Sequence, residues 1–569
     1  MVNVVTSKLR TAARTFGIPE GELRSELPER FGIPSFIAPD PVKHWQRVLQ
    51  RSRRLRANLP PPTGPRIACI TTVSKGSNNA GYVAVLAHAL RLRGADPFIV
   101  YCDGALDGCE HAQSAYLSAQ EFIENGPRSL CNGCYHGGER LYRHLDLPVY
   151  PLSRFITADV GAEVERFMAA LPEREYYRFT YKGMPLGAQV EASVARFFYV
   201  NAPDFQPLTI QVARRMVRGA ITMAEAMLRM NAELKPDLFL PNYGAYLSRG
   251  AAYLAGRSLG KRVAVWARGY VEEAVMLGLN EHTFTELAER TTGPWGSFDF
   301  TPERERELDA MLDRRVHGKA MRMHNKTPVL QAEHLYTQLD VNPQQPIVSL
   351  FTNCGFDTKL FYDTSLYPDV LSWIYDSIEL FKGRPEQLVI RVHPGELWLP
   401  QIERAMDRIK DRYPTLPANV RIVPPESKLS SYVLAQVSQV CLAYGSLIGL
   451  EVAAMGKPVI VAGRGPYWRK GFTYDVHTRA DYERWLSRLD ALAAPDPQRI
   501  QGARRFTYYF FFLRQIPFHQ WNHDVHPGLK LQPWWKVFRS LKDLQSGAEA
   551  NLDAICDQIL HGKEALATW

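Results

Sequence analysis

Nowhere in this 569-residue chain do apolar side chains run uninterrupted for the roughly eighteen positions that a membrane-crossing helix needs, so no spanning segment is expected. The first seventeen residues, MVNVVTSKLRTAARTFG, hold no acid and no apolar core of the secretory kind. Lys8, Arg10 and Arg14 give this stretch a superficial likeness to a transit peptide, but a solvated N-terminal helix is the simpler expectation, and the chain is read as cytoplasmic. A net charge of +9 is not accompanied by any nucleic-acid-reading module, so no nucleic acid partner is expected. With 46% hydrophobic and 22% charged residues, disordered and fibrous classes are excluded.

At roughly 150 residues per domain the length suggests two to four units. After the break LPPPTGP (Leu59 to Pro65), the order strand, glycine-bearing loop, helix, strand reads as a βαβ start, with strands near Ile67 to Thr72, Pro97 to Cys102, Leu238 to Pro241 and Val263 to Ala267. A second series follows QQPIVSLFTN, with strands near Leu388 to Val392, Val420 to Val423, Val440 to Ala443 and Pro458 to Ala462. The expected fold class is α/β: two doubly wound Rossmann-like lobes with a helical N-terminal extension and a closing C-terminal helix. The expected divisions are 1–64 for the basic extension, 65–300 for the first lobe with a four-cysteine insert, 301–344 for a helical linker, 345–500 for the second lobe and 501–569 for the closing helix and tail.

Ligands of open parallel sheets bind beyond the carboxyl ends of the strands, so the residues after each strand carry the functional signal. In VIRVHPGE, Arg391 and His393 can donate to phosphate oxygens while Pro394 and Gly395 turn the backbone sharply. In AYGSLIGLEVAAMGKPVIVAG, Gly445 and Ser446 open a helix whose first turn suits phosphate, Gly449 keeps bulk away, and Glu451 can accept from ribose hydroxyls. Together with SKLSSYVLAQVSQVCL, these motifs resemble the nucleotide-sugar lobe of GT-B glycosyltransferases, and within them the capsule polysaccharide biosynthesis proteins that include bacterial Kdo transferases. The resemblance covers about Pro346 to Pro466, is weaker over Arg66 to Glu273, and is absent from the first sixty residues. It implies that His393, Pro394, Ser446 and Ser427 hold the donor's nucleotide and phosphate, with Glu451 toward the ribose.

A transferase needs a positioned acceptor and, for inversion, a base; Glu272, Glu273 and His282 are the candidates, with Asp103 behind them. Four cysteines cluster in sequence, Cys102, Cys109, Cys131 and Cys134, a set that suits structural zinc or an iron-sulfur cluster, with free thiols or a reversible disulfide as the alternatives. Lys43, Arg47, Arg51, Arg53, Arg54 and Arg56 form a basic helix around Trp45, Val48, Leu49 and Leu55 that either packs on the next domain or lies on anionic lipid. The aromatic run ARRFTYYFFFLRQIPFHQW is expected to close across both lobes, a membrane-dipping helix being the alternative. The function expected is transfer of a sugar from a CMP-, UDP- or GDP-linked donor to a saccharide or lipid-linked saccharide, in the cytoplasm or docked on the inner membrane face. The alternatives are a sugar-nucleotide epimerase of the same fold and a non-catalytic carbohydrate-binding protein of capsule assembly.

Overall fold

The computed structural model describes residues 40–74, 78–271, 273–319, 327–357, 360, 366–397, 403–493, 496–521 and 537–568. Two compact units emerge, one from Met1–Val190, Gln206–Ala264 and Phe518–Glu564, the other from Glu191–Phe205, Val265–Pro517 and Ala565–Trp569. The chain therefore interleaves its units where consecutive domains were expected. The turn and strand after Ala264 belong to the second unit, and the tail after Pro517 returns to the first.

In the first unit, β1 (Arg66–Thr71), β2 (Asp96–Tyr101), β3 (Val149–Pro151), β4 (Leu238–Pro241) and the start of β5 (Arg262–Arg268) run parallel in the order β3-β2-β1-β4-β5. β1, β2 and β4 are buried almost throughout, as parallel strands covered by helices on both faces must be. The helix Pro41–Arg51 is capped by the Asp40 carboxylate, which accepts from the Val42 amide at 2.9 Å. Trp45, Val48 and Leu49 are buried, and each full burial of such a side chain contributes about 1.5–3 kcal/mol. His44 Nε2 lies 2.7 Å from the Phe538 carbonyl, and Ser52 Oγ accepts from the Leu541 amide at 2.8 Å. The basic helix is thus an integral part of its unit.

In the second unit, β6 (Ala274–Leu279) pairs antiparallel with a late strand, while β7 (Ile347–Phe351), β8 (Gln387–Arg391), β9 (Val420–Val423), β10 (Val440–Ala443), β11 (Val459–Val461) and β12 (Tyr474–Asp475) form a parallel sheet in the order β9-β8-β7-β10-β11-β12. The partner of β6 is β13 (Ile516–Pro517). Alternate side chains serve opposite faces: Ile347, Phe351, Val389, Cys441 and Ala443 enter one core, and Val348, Leu350, Leu388, Ile390 and Leu442 the other. Both sheets thus carry the Rossmann strand order, and the expected α/β class with two doubly wound sheets is borne out.

Two expectations change here. The stretch 301–344 was read as a linker, yet the helix Pro302–Val316 buries Leu308, Met311 and Leu312 in the second unit's core. The aromatic run is no membrane anchor: after the helix Pro497–Tyr508 comes a single wide turn, Tyr509–Leu513, which redirects successive rings so that Phe506, Tyr509, Phe510 and Phe511 are all buried. It packs into the second unit's core, and its flanking arginines are used internally, Arg504 with Glu305 and Asp309, Arg514 with the Leu277 carbonyl.

Candidate functional site

A parallel sheet in Rossmann order opens a crevice where the winding reverses, because the loops on either side of that point leave in opposite directions. In the second unit the reversal lies between β7 and β10, whose last residues Phe351 and Ala443 are paired. The chain leaves these strands as Thr352-Asn353-Cys354 and Tyr444-Gly445-Ser446. Asn353 is 93% buried, and among the described residues neither its Oδ1 nor Ser446 Oγ has a hydrogen-bond partner. Ser446 is the N-cap of the helix Leu447–Ala454, yet its hydroxyl makes no capping bond. Two orphaned polar oxygens therefore flank the reversal point, each costing about 1–3 kcal/mol unless a ligand or solvent satisfies it. Gly445 is at φ +93°, a backbone conformation that admits the sharp turn from strand to helix.

The end of β8 is stitched to this crevice. The His393 amide donates to Thr352 Oγ1 at 2.9 Å, and the Gly395 amide donates to His393 Nδ1 at 3.0 Å, with Cys354 Sγ 3.4 Å from the same nitrogen. Since an amide only donates, Nδ1 is the acceptor and the neutral ring carries its proton on Nε2. A side chain at position 395 would come within 2.7 Å of His393 Nδ1, so the glycine is required by the ring it supports. Pro394 starts the short 3-10 turn Pro394–Leu397 that carries both.

Other expected site residues turn inward. Arg391 is 2% exposed; it donates to the carbonyls of Pro424 and Ser427 and to Ser431 Oγ, and burial lowers its pKa to about 10. It fixes the loop after β9 instead of reaching for phosphate. Ser427 Oγ accepts from the Leu429 amide at 3.2 Å, shaping that same loop. Glu451 is buried, accepting from Tyr432 Oη at 2.6 Å and pairing with Arg315 at 2.7 Å, so its carboxylate is not open to a ribose. Burial raises its pKa against the pull of Arg315. Gly449 makes room for Tyr467, whose hydroxyl would lie 2.2 Å from an added Cβ.

Of the proposed bases, Glu272 lies outside the described residues. Glu273 and His282 are buried, at 7% and 6% exposure, and flank β6. Glu273 sits at φ +58°, a strained conformation for a residue with a side chain. Asp103 is committed to Ser153, accepting from its amide at 3.1 Å and its hydroxyl at 2.5 Å. A carboxylic acid not expected to matter is Glu396: it is 2% exposed, accepts a 3.3 Å bond from the Ala405 amide, has no partner for Oε2 among the described residues, and burial lifts its pKa to about 7.

The first unit reverses between β1 and β4. The loop after β4 is held with Tyr243, Gly244 and Tyr246 at φ +65°, +67° and +66°, and the two tyrosine rings stack at 6.0 Å. The helix Leu247–Ser258 begins there, but Glu110 already fills its N-terminus, accepting from the Ser248 amide at 2.9 Å and from its hydroxyl. No second anion is needed at that helix end.

The cysteines also depart from expectation. Cys102 follows β2, Cys109 lies in the next loop, and Cys131 and Cys134 are on the helix Arg128–Tyr142. Burial raises Cys102 to about 12 and Cys131 to about 11 and lifts Cys109 well above its ordinary value, the neighbouring thiols adding to the rise. Among the described residues there is no disulfide and no group of three or more His, Cys, Asp or Glu arranged to hold a metal.

No protein-family profile matches the chain, and no curated protein sequence matches it. Solved structures with similar folds include a KpsC domain from Thermosulfurimonas dismutans described as a beta Kdo 2,4 transferase (14% identity, 49% of this chain and 80% of that one, TM-score 0.31). Others are UDP-GlcNAc 2-epimerase from Neisseria meningitidis (12% identity, 78% and 98%, TM-score 0.23) and the calicheamicin glycosyltransferase CalG4 (12%, 78% and 93%, TM-score 0.25). Likeness at these scores carries no functional argument, and the weight falls on the site itself.

Proposed function

We propose that the protein is a glycosyltransferase whose second unit binds a nucleotide-sugar donor at the β7/β10 reversal, for transfer to a saccharide or lipid-linked saccharide acceptor. The observation that carries this is the pair of orphaned oxygens, Asn353 Oδ1 and Ser446 Oγ, on either side of the reversal and beside a histidine whose Nε2 is its donor. A polyoxygenated, anionic ligand supplies what such a set lacks: ribose or sugar hydroxyls donate to Asn353, and phosphate oxygens accept from Ser446 and His393. The RVHPGE and YGSLIGLE motifs support the same assignment through their resemblance to donor lobes of this class. In transfer, His393 Nε2 and the first turn after Ser446 would stabilise charge developing on the departing phosphate.

The test is a thermal-shift panel of CMP, UDP and GDP, since a ligand bound only to the native state raises the apparent melting temperature. One nucleotide is expected to stabilise the wild type, and Asn353→Ala, His393→Ala or Ser446→Ala each to weaken it by roughly tenfold, the value of one charge-assisted contact of about 1.5–3 kcal/mol. Unchanged affinity in all three variants would remove the site from this crevice. Interconversion of a nucleotide sugar with no acceptor present would favour the epimerase alternative.

A further inference from the structure

Away from the crevices at the strand ends, the first unit has a hollow of about 530 Å³ lined by Asp107, Ile123, Gln211, Arg214, Arg215 and Arg218. Three arginines within five residues of the helix Pro207–Leu234 thus face one space. Two are held in place by their own unit. Arg215 donates to the Ile123 and Glu124 carbonyls at 2.7 and 2.8 Å, and Arg218 makes a two-point pair with Glu165. Arg214 is exposed and has no ion pair among the described residues.

The wall is built by close backbone approaches. The loop after β2 presses on the helix so tightly that a Cβ at Gly219 would meet the Gly108 carbonyl at 2.3 Å. A Cβ at Gly126, which sits at φ +65°, would lie 2.9 Å from the Asp107 carbonyl and 3.1 Å from Arg215 Nη1. Asp107 is the one acid in the lining, and it holds the guanidinium groups loosely, 3.5 Å from Arg218 Nε and 4.0 Å from Arg215 Nη1. Charge-assisted contacts settle at about 2.7–2.9 Å, so these donors are unsaturated.

We propose that this hollow binds a phosphate-bearing ligand, a phosphomonoester or diphosphate group, with Arg214 as its principal donor, Arg218 Nε and Arg215 Nη1 as the loosely held donors beside it, and Asp107 as the group it displaces. Planar guanidinium forks match phosphate oxygens two at a time, and a doubly charged oxyanion outcompetes one half-exposed carboxylate. Leu208, 47% exposed and one turn before Gln211, makes a lipid-linked phosphate one source and a soluble ester the other.

The experiment is calorimetric titration of the full chain with inorganic pyrophosphate. It is done in a His393→Ala/Ser446→Ala background, so that failure here is distinguishable from failure of the donor-site assignment. Arg214→Gln is expected to weaken binding about tenfold with an unchanged melting temperature, because among the described residues this side chain makes no ion pair. Asp107→Asn is expected to tighten binding severalfold, an effect that a purely structural role for the loop would not produce. In parallel, vesicles of phosphatidylcholine with phosphatidic acid are sedimented with the same proteins. Co-sedimentation lost in Arg214→Gln identifies a lipid headgroup, and pyrophosphate binding alone identifies a soluble ester. Equal pyrophosphate affinity in Arg214→Gln and its parent, or no binding of either probe, overturns the proposal.

Discussion

At the scale of single residues, Glu396 is the group whose protonation the fold has altered most consequentially. Its carboxyl is buried, with Arg404 and Asp407 as the neighbouring charges, and burial raises its pKa from 4.5 to about 7. An acid whose folded pKa is raised keeps its proton in the native state while the unfolded chain loses it. Stability is therefore unaffected below about pH 4.5 and falls as pH rises through the window to about 7, by at most about 3 kcal/mol at 1.36 kcal/mol per unit. Glu396→Gln keeps an acceptor for the Ala405 amide and carries no charge, so it is expected to raise stability above pH 7 by about 1–3 kcal/mol and flatten the pH dependence. Urea denaturation at pH 5 and pH 8 measures both; a pH slope that persists in the variant would assign it to another group. His393, Ser446 and Gly445 were legible because their motif fixes where the strand ends. Arg391 and Glu451 were misread because a motif gives sequence position but not side-chain direction. Asn353 went unselected because an Asn after a strand is ordinary turn chemistry until its burial and lack of a partner are seen.

At the scale of elements, the strands were the most legible part: β10 and β4, buried at every position, lie where their apolar runs place them, since a strand buried on both faces leaves an unbroken apolar signal, and β9 keeps its expected bounds although Arg421 interrupts it. The helix Pro302–Val316 was misjudged because its charged composition masks three buried positions at helical spacing. Its attachment to the rest of the second unit turns on Arg315, which is 12% exposed, pairs with Glu451 of the helix Leu447–Ala454, and stacks 4.6 Å from the Phe511 ring centroid. Removing one partner of such a pair strands a buried charge. Arg315→Met is thus expected to cost about 3–5 kcal/mol, while Arg315→Met with Glu451→Leu, which removes both charges, should recover most of it. Chemical denaturation of the two single variants and the double variant tests this as a cycle; a double variant as unstable as the sum of the singles would mean the two charges are not coupled.

At the scale of the whole molecule, the excess of positive charge has a location. Lys43, Arg47 and Arg51 recur every fourth residue along about 12 Å of helix, all exposed, and Arg53 and Arg54 extend the patch past Ser52. None of the five carries an ion pair among the described residues, whereas Arg56 is taken by Asp146 at 2.5 Å. The helix beneath is fixed by Trp45, Val48 and Leu49, so the charges stand on a rigid base, which minimises the ordering entropy of docking to an extended anionic surface. No described helix is long and apolar enough to cross a membrane, and the attachment that this patch offers to a bilayer is electrostatic. Each basic side chain near an anionic surface contributes about 1 kcal/mol at low salt, so five give reversible binding that a Debye length of about 3 Å in 1 M salt would abolish. The expected outcome is co-sedimentation with phosphatidylserine-containing vesicles at low salt, release at high salt, and loss of binding when Arg47, Arg51, Arg53 and Arg54 are changed to Gln, with transfer to a soluble acceptor retained. Absence of sedimentation at any salt concentration would leave the patch as a solvated helix face, and sedimentation that survives high salt would require an apolar contact that this helix does not offer.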